Sequence, residues 1–244
     1  HDDIGWGLDY ATLQQEGIEE RSHKKYLNDY FQGYAGNSNS RGVLYNEDPV
    51  TGDARFCGTT ASMCGIEKAG FENDRAGMKK AIQLDVMLHA YMFMQSGIPV
   101  LYSGDEIGQV NDYSYKKDPD KAPDSRYIHR GKFDWKLADG RKRKGTVQKE
   151  LFDGIGKLRS IRSKEKVFDA SANVWTLDTW ENGILGVVRE LEGEQMTALF
   201  NFAEEDRTAW IEEEGEYMDL YTGKKVSLQA IKMEGHSFVL AKKC

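Results

Sequence analysis

Apolar residues recur at helical spacing in two long stretches of the chain. Residues 75–95 have a broad apolar face, and residues 147–161 show the most regular three- to four-residue spacing in the sequence. Gly97 and Pro99 follow the first stretch, and both residue types are typical of a helix end. A shorter amphipathic segment at 22–33 ends at a glycine. The pattern therefore predicts three helices.

Two short segments precede long polar loops and predict strands of a parallel sheet. Residues 98–102 (IPVLY) are apolar without alternation, which is typical of a strand buried on both faces. Residues 1–6 (HDDIGW) predict a strand end that enters a loop. Strand, long loop and helix thus occur twice, which predicts a quarter of a (β/α)8 TIM barrel, with the chemistry in the loops after the strands. The first loop is a long insertion at about 7–74.

Beyond about residue 163 the pattern changes to short alternating runs separated by turns. Runs such as NVWTLDTW, ILGVVREL and MTALFNF have the two-residue period of half-buried strands. They predict an antiparallel β-sandwich or small barrel. The fold class is thus α/β plus all-β, with domains at 1–163 and 164–244.

Composition and charge limit the functions that fit the chain. Its 244 residues carry a net charge of -7, with 39% hydrophobic and 30% charged residues. An acidic chain without a run of about 18 apolar residues argues against nucleic acid and membrane partners. The three cysteines, Cys57, Cys64 and Cys244, form neither a disulfide framework nor a zinc motif. They favour a reducing, cytoplasmic compartment. No loop has a calcium-binding spacing, so no metal is expected.

Three polar residues stand together at the predicted strand end: His1, Asp2 and Asp3. Cleavage at the anomeric carbon of a sugar builds positive charge on the ring, and a nearby carboxylate stabilises that charge. Imidazole and carboxylate groups also hold ring hydroxyls. The same triplet could instead be a solvated loop cap.

Three motifs, in matching order, resemble glycoside hydrolase family 13 and, within it, the amylosucrase and sucrose hydrolase branch. HDDIGW resembles the motif after the family's seventh barrel strand, and TGDARFCGTTAS resembles a segment of the long seventh loop. SGIPVLYSGDEIGQVNDYSYKKDPDKAPDSRYIHR resembles the eighth strand and its loop. The last region matches the family's C-terminal Greek-key domain in position and size. The resemblance implies a C-terminal fragment of such an enzyme.

The resemblance implies roles for five residues. Asp2 corresponds to the catalytic acid that stabilises the transition state, and His1 to a histidine that contacts the same sugar ring. Asp3 and Arg55 correspond to a pair at the acceptor (fructosyl) site, although a salt bridge that organises the loop is the alternative. Arg126 corresponds to the arginine that closes the glucosyl pocket by pairing with an aspartate of the barrel's first half; an ion pair within its own loop is the alternative.

The implied activity is retaining cleavage of sucrose or of α-glucan ends, without a cofactor, and with transfer to water or to a glucan. The family's nucleophile and general acid follow its fourth and fifth strands, so the fragment alone is expected to be inactive without the N-terminal part of the enzyme. Lys24 stands where amylosucrases often have an arginine, which argues against polymer synthesis. Two other hypotheses for the function remain open. One is a non-catalytic carbohydrate-binding or stability module. The other is a different family 13 specificity, such as α-amylase, trehalulose-forming or glucan-transferring activity.

Overall fold

A computed structural model describes residues 3–244, with the side chain of Asp3 left out. The chain forms two compact units. The first runs to Ile82 and includes Val100–Leu151, and the second consists of Gln83–Pro99 and Phe152–Cys244. No helix in the described part of the chain is long and apolar enough to cross a membrane.

Seven α-helices and several short 3-10 turns occur in the described residues. The helices are α1 (Tyr10–Gln15), α2 (Glu20–Gln32), α3 (Thr60–Met63), α4 (Ile66–Glu72), α5 (Arg75–Met94), α6 (Trp135–Ala138) and α7 (Val147–Lys164). The 3-10 turns are Asp105–Ile107, Tyr113–Lys117, Ser125–His129, Asp139–Lys142 and Lys166–Phe168. The three helices predicted from apolar spacing correspond to α2, α5 and α7. The helix α2 ends at Gly33, whose φ of 87° is one that glycine adopts without strain.

Three strands lie in the first unit. They are β1 (Asp3–Gly5), β2 (Val43–Tyr45) and β3 (Arg55–Cys57). They form an antiparallel sheet in the order β1-β3-β2. Buried Cys57, Tyr115 and Ile128 form a small core with the partly buried Val43 and Tyr45. The segment predicted as one long loop insertion, about 7–74, therefore holds helices and two of these strands.

The strand predicted at 98–102 does not form, and that prediction was wrong for this chain. The segment forms no strand, and Ile98 and Val100 are 91% and 70% exposed. An apolar parallel strand is stable only between neighbouring strands and covering helices. All strand pairs among the described residues are antiparallel, so the segment has no parallel neighbour here.

The second unit contains the antiparallel β-structure that the alternating runs predict. Its strands are β4 (Asn173–Leu177), β5 (Ile184–Leu191), β6 (Glu194–Asn201), β7 (Arg207–Ala209), β8 (Tyr217–Asp219), β9 (Lys224–Val226), β10 (Ile231–Met233) and β11 (Phe238–Lys243). Six form one sheet in the order β4-β5-β6-β11-β8-β9, and β7 pairs with β10 in a two-stranded ribbon.

Strand β6 is covered on both faces, which explains its almost continuous burial. On one face, Leu199 joins a core with Ala209 and Met233 of the ribbon. On the other face, the ring of Phe200 meets the ring of Tyr91 in α5 edge to face, with centroids 5.5 Å apart. Residues 83–99 and 152–163, which the sequence assigned to the barrel part, belong to this unit.

Candidate active site

The three-stranded sheet places Arg55 beside Tyr45. Arg55 of β3 lies in register with Gly5 of β1 and Tyr45 of β2. Directly opposed residues of antiparallel strands project from the same face. Arg55 and Tyr45 therefore share one face of the sheet, the face that also carries the buried Cys57 two residues along β3.

Arg126 lies over that same tyrosine. Its guanidinium carbon is 4.3 Å from the centroid of the Tyr45 ring, a distance at which a cation and an aromatic face attract each other. The hydroxyl of Ser125 donates to the carbonyl of Leu44 at 2.8 Å and fixes the loop to β2. Both arginines that the sequence singled out are thus neighbours of Tyr45: Arg55 in strand register with it, and Arg126 over its ring.

Asp124 occupies the fork of Arg126. The Nε of Arg126 donates to Oδ1 of Asp124 at 2.8 Å, and its Nη2 donates to Oδ2 at 2.9 Å. These hydrogen bonds hold the pKa of Asp124 below its ordinary value, although burial opposes the shift. An Nη of Arg130 also approaches Asp124, at 3.8 Å. The contact in this structure is the ion pair within the loop that the sequence left open as the alternative.

Arg55 also lines an open groove beside the sheet. The cavity has a volume of about 560 Å³ and is lined by Gly5, Trp6, Gly7, Asn46, Asp53, Ala54 and Arg55. This size falls in the range of small-molecule sites. Its polar groups are an amide, a carboxylate and a guanidinium, which together can donate to and accept from sugar hydroxyls.

The aromatic wall of the groove is held by packing. Trp6 stacks on Phe31 with ring centroids 5.2 Å apart, and its indole nitrogen donates to the Asn28 side chain at 2.6 Å. The ring of Phe31 in turn contacts that of Phe56, at 5.3 Å. Because the indole is fixed on two sides, Trp6 contributes a rigid edge to the groove.

A buried lysine positions the acidic residue of the groove. The ammonium of Lys24 lies 2.6 Å from the carboxylate of Asp53, and it also pairs with Glu20. Hydrogen bonds from Lys24 lower the pKa of Asp53, and the same contacts raise the pKa of Lys24. Asp53 therefore stays ionised beside Arg55 in the groove at neutral pH.

A hydrogen-bond network joins the two long motifs of the first unit. The side chain of Asn111 accepts from the backbone nitrogen of Thr59 at 2.8 Å, and its own backbone nitrogen donates to the Ser62 hydroxyl at 2.9 Å. Ser62 and Tyr113 both donate to Glu67, at 2.5 Å and 2.7 Å. Burial raises the pKa of Tyr113 to about 12, so the phenol remains a donor.

Of the other residues predicted for the site, His1 and Asp2 lie outside the described residues. Asp3 is described by its backbone alone, which pairs with Cys57. The sequence reasoning missed Tyr45, Asn46, Asp53 and Asp124. Of these four, only Asp124 could have been found from the sequence. An aspartate often accepts a hydrogen bond from the backbone nitrogen two residues later, and the Asp124 side chain accepts from the Arg126 backbone nitrogen at 3.0 Å.

Among the described side chains, no group of three or more histidine, cysteine, aspartate or glutamate residues is arranged to hold a metal ion. What the arrangement offers instead is rigid arginine and carboxylate groups beside a groove, which suits recognition of a hydroxyl-rich ligand.

No known protein-family profile matches the chain. Solved structures share its fold. An α-amylase from Anoxybacillus matches 77% of the chain at 19% identity, with a TM-score of 0.51. AmyP, solved in complex with maltotriose, matches 67% at 16% identity and a TM-score of 0.55. The trehalulose synthase MutB from Pseudomonas mesoacidophila matches 66% at 16% identity and a TM-score of 0.50. The chain spans 36%, 35% and 38% of these proteins, respectively.

Proposed function

We propose that this chain is part of a retaining α-glucosyl hydrolase or transferase of glycoside hydrolase family 13. The observation that supports this most directly is that Tyr45, the strand neighbour of Arg55, also lies under the guanidinium of Arg126, because the two arginines come from separate motifs that resemble the same family. The fold shared with an α-amylase and a trehalulose synthase supports the same assignment.

Sucrose, or the end of an α-glucan, is the substrate that we infer. The segment DPDKAPDSRYIHR resembles the amylosucrase and sucrose hydrolase branch, and its arginine Arg126 is the group that closes the glucosyl pocket there. A pocket closed at one end accepts one terminal glucosyl unit, whereas an endo-acting amylase needs a cleft open at both ends. The solved structures that share the fold have different activities in their names, so the choice of substrate rests on this motif.

In this proposal the chain supplies the part of the site that recognises sugar, and it supplies one of the catalytic acids. Asp2 stabilises the positive charge that develops on the ring, and His1 binds a hydroxyl of the same sugar. Asp3 and Arg55 line the acceptor side, where Asp53 and Asn46 complete the groove.

The nucleophile and the general acid belong, in this proposal, to the remainder of a longer protein. Retaining hydrolysis needs two carboxyl groups roughly 5–5.5 Å apart. The family's pair follows its fourth and fifth strands, and this chain resembles the family from the seventh strand onward. We therefore expect the 244-residue chain to be inactive by itself.

The finer fold follows from the same proposal. Residues 1–163 would complete a quarter of a (β/α)8 barrel in the longer protein. Residues 164–244 would form the Greek-key domain. Apolar Ile98 and Val100, exposed in the chain alone, support the idea that another part of the longer protein covers this segment.

The test is a sucrose assay on the whole gene product and on this chain. The expected result is release of fructose by the whole protein and none by the chain. In the whole protein, Asp2→Asn should abolish the release, whereas Asp9→Asn, a matched change at an exposed cap of α1, should not alter it. Absence of cleavage of both sucrose and maltooligosaccharides by the whole protein would overturn the proposal.

A further inference from the structure

Two exposed tryptophans face one groove of the second unit, far along the chain from the candidate active site. Trp180 is 67% exposed and Trp210 is 55% exposed. Large aromatic side chains are usually buried, and two exposed indoles at one groove form an apolar surface that is open to a ligand. The groove has a volume of about 570 Å³ and is lined by Trp180, Trp210, Ile211, Glu212, Gln229 and Ala230.

Backbone hydrogen bonds hold the walls of this groove together. The backbone nitrogen of Trp210 donates to the carbonyl of Thr179 at 3.0 Å, directly before Trp180. The next residue, Ile211, donates from its backbone nitrogen to the carbonyl of Leu228 at 3.2 Å. Both Ile211 and Leu228 are buried. Three segments of the chain therefore form a rigid base from which both indoles project.

Trp180 adopts a backbone conformation that its residue type rarely tolerates. Its φ is 55°, in the left-handed region, which for a bulky side chain is an uncommon and costly state. The Asp178 side chain accepts from the Trp180 backbone nitrogen at 2.8 Å, and the buried Thr179 hydroxyl donates to the carbonyl of Ile184 at 2.8 Å. The turn is thus secured by hydrogen bonds to neighbouring residues, and it carries the exposed indole.

The polar groups of the groove select the class of ligand. Glu212 accepts hydrogen bonds, and the Gln229 amide both donates and accepts. The six lining residues include no lysine or arginine, so an anionic ligand would meet one negative charge and no compensating cation. A pyranose ring combines an apolar C–H face, which packs on an indole, with hydroxyls that suit a carboxylate and an amide.

We infer that this groove is a carbohydrate-binding site for a neutral chain of pyranose rings, separate from the candidate active site. Neighbouring rings of one oligosaccharide would pack on Trp180 and Trp210, with hydroxyls hydrogen-bonded to Glu212 and Gln229. The site needs no catalytic group, so it stands whether or not the proposed glucosyl chemistry is correct.

Calorimetric titration of the 244-residue chain with maltoheptaose and cellohexaose tests this site. Saturable binding of either oligosaccharide, with a change in tryptophan fluorescence, is expected. Trp180→Asn and Trp210→Thr should each weaken binding by about tenfold or more. Asparagine tolerates the left-handed turn and threonine suits a position beside a strand, so both variants should keep the native melting temperature.

The matched control is Trp135→Ala, because Trp135 is 75% exposed but lies in the first unit. Its removal should leave the affinity unchanged. Absence of binding at millimolar oligosaccharide, or equal binding by the folded Trp180 and Trp210 variants, would overturn the inference. In the whole gene product, Trp180→Asn should leave kcat on sucrose unchanged, which separates this site from the proposed active site.

Discussion

Asp124 and Arg126 form a two-point ion pair across two residues of the same loop, with the arginine over the ring of Tyr45. The family resemblance implies that Arg126 pairs with an aspartate from the first half of a barrel. In the chain alone, Arg126 pairs with Asp124 instead. Bidentate guanidinium–carboxylate contacts fix orientation as well as charge. The pair therefore holds Arg126 in one position, in which it packs against the same tyrosine that neighbours Arg55.

The first prediction concerns how much the Asp124–Arg126 ion pair contributes to the free energy of unfolding. Asp124→Asn retains the cap on the Arg126 backbone nitrogen but removes the charge, because asparagine caps as well as aspartate does. We expect a loss of about 1 kcal/mol in the free energy of unfolding, since the pair is partly exposed and solvent weakens it. Urea unfolding measures this.

Asp118→Asn is the matched control, because Asp118 pairs with Lys121 in the same loop at 2.7 Å but is more exposed. Its effect should be smaller than that of Asp124→Asn. An equal or larger loss of unfolding free energy for Asp118→Asn would contradict the prediction that the Asp124–Arg126 pair stabilises the fold more than an exposed pair of the same loop.

The second prediction is an acid-sensitive loss of stability. The pKa of Asp124 and the pKa of Asp53 are lowered from 3.8 by hydrogen bonds from Arg126 and Lys24, respectively. A carboxyl whose folded-state pKa is depressed stabilises the fold fully above the unfolded pKa and stops doing so as pH falls through the folded value. Unfolding free energy should therefore decrease as pH falls below 3.8.

The two aspartates can be distinguished by their variants. Asp53→Asn and Asp124→Asn should each flatten this acid dependence, and the double variant should flatten it further. If both variants retain the native slope between about pH 5 and pH 2, other carboxyl groups account for the acid sensitivity.

The sequence predicted the regular elements well where local pattern and tertiary environment agree. Helices α5 and α7 both have regular apolar spacing, and α5 also has clear end signals. Both form within a residue or a few of the predicted bounds. The strands of the second unit likewise follow from alternation. In these elements the buried residues recur every two to four positions along the chain, so a short stretch of sequence is enough to predict the element.

The sequence predicted less where the local structure depends on contacts with residues far away in the chain. IPVLY has the composition of a buried strand, but a strand needs neighbours to pair with, and the residues that the structure describes provide none. The contact between Arg126 and Tyr45 spans residues far apart in the chain, and no periodicity reports it. Tyr45 and Asp53 were missed for the same reason: each lies in a loop or short strand whose partner is set by the fold.

The third prediction compares two neighbouring lysines of α2. Lys24 is buried between Glu20 and Asp53 and lies 5.0 Å from the centroid of the Tyr10 ring, whereas Lys25 is exposed and pairs with Asp29. Lys24→Met should lower the free energy of unfolding by about 1–2 kcal/mol, because it removes a buried cation that joins the helix to the groove loop. Lys25→Met should change it by no more than about 0.5 kcal/mol. Chemical denaturation of both variants under one condition is the measurement, and equal effects would contradict the account.

The fourth prediction concerns Arg189, which is fully buried in the second unit. Its guanidinium donates to the carbonyls of Val167 at 2.6 Å and Met94 at 2.9 Å, and burial lowers its pKa. Arg189→Met should destabilise the chain by about 3–5 kcal/mol, because the replacement leaves buried carbonyls without donors. Thermal unfolding should show a much lower midpoint.

Arg207→Met provides the comparison for that variant. Arg207 is 41% exposed and pairs with Glu181 and Glu205 at the surface, so its loss should shift the midpoint little. Similar midpoints for the Arg189 and Arg207 variants would show that the buried guanidinium does not hold the end of α5 in place.

The central claim is that Arg126 closes a glucosyl pocket in a longer enzyme, and sucrose cleavage by the whole gene product tests it most directly. Native protein and the variants Arg126→Lys and Arg143→Lys are compared, because Arg143 belongs to a neighbouring loop segment and serves as the control. The account predicts fructose release by the native protein, a loss of about a hundredfold or more in kcat/KM for Arg126→Lys, and no change for Arg143→Lys. Full activity of the Arg126 variant, or no cleavage by the native protein, would contradict it.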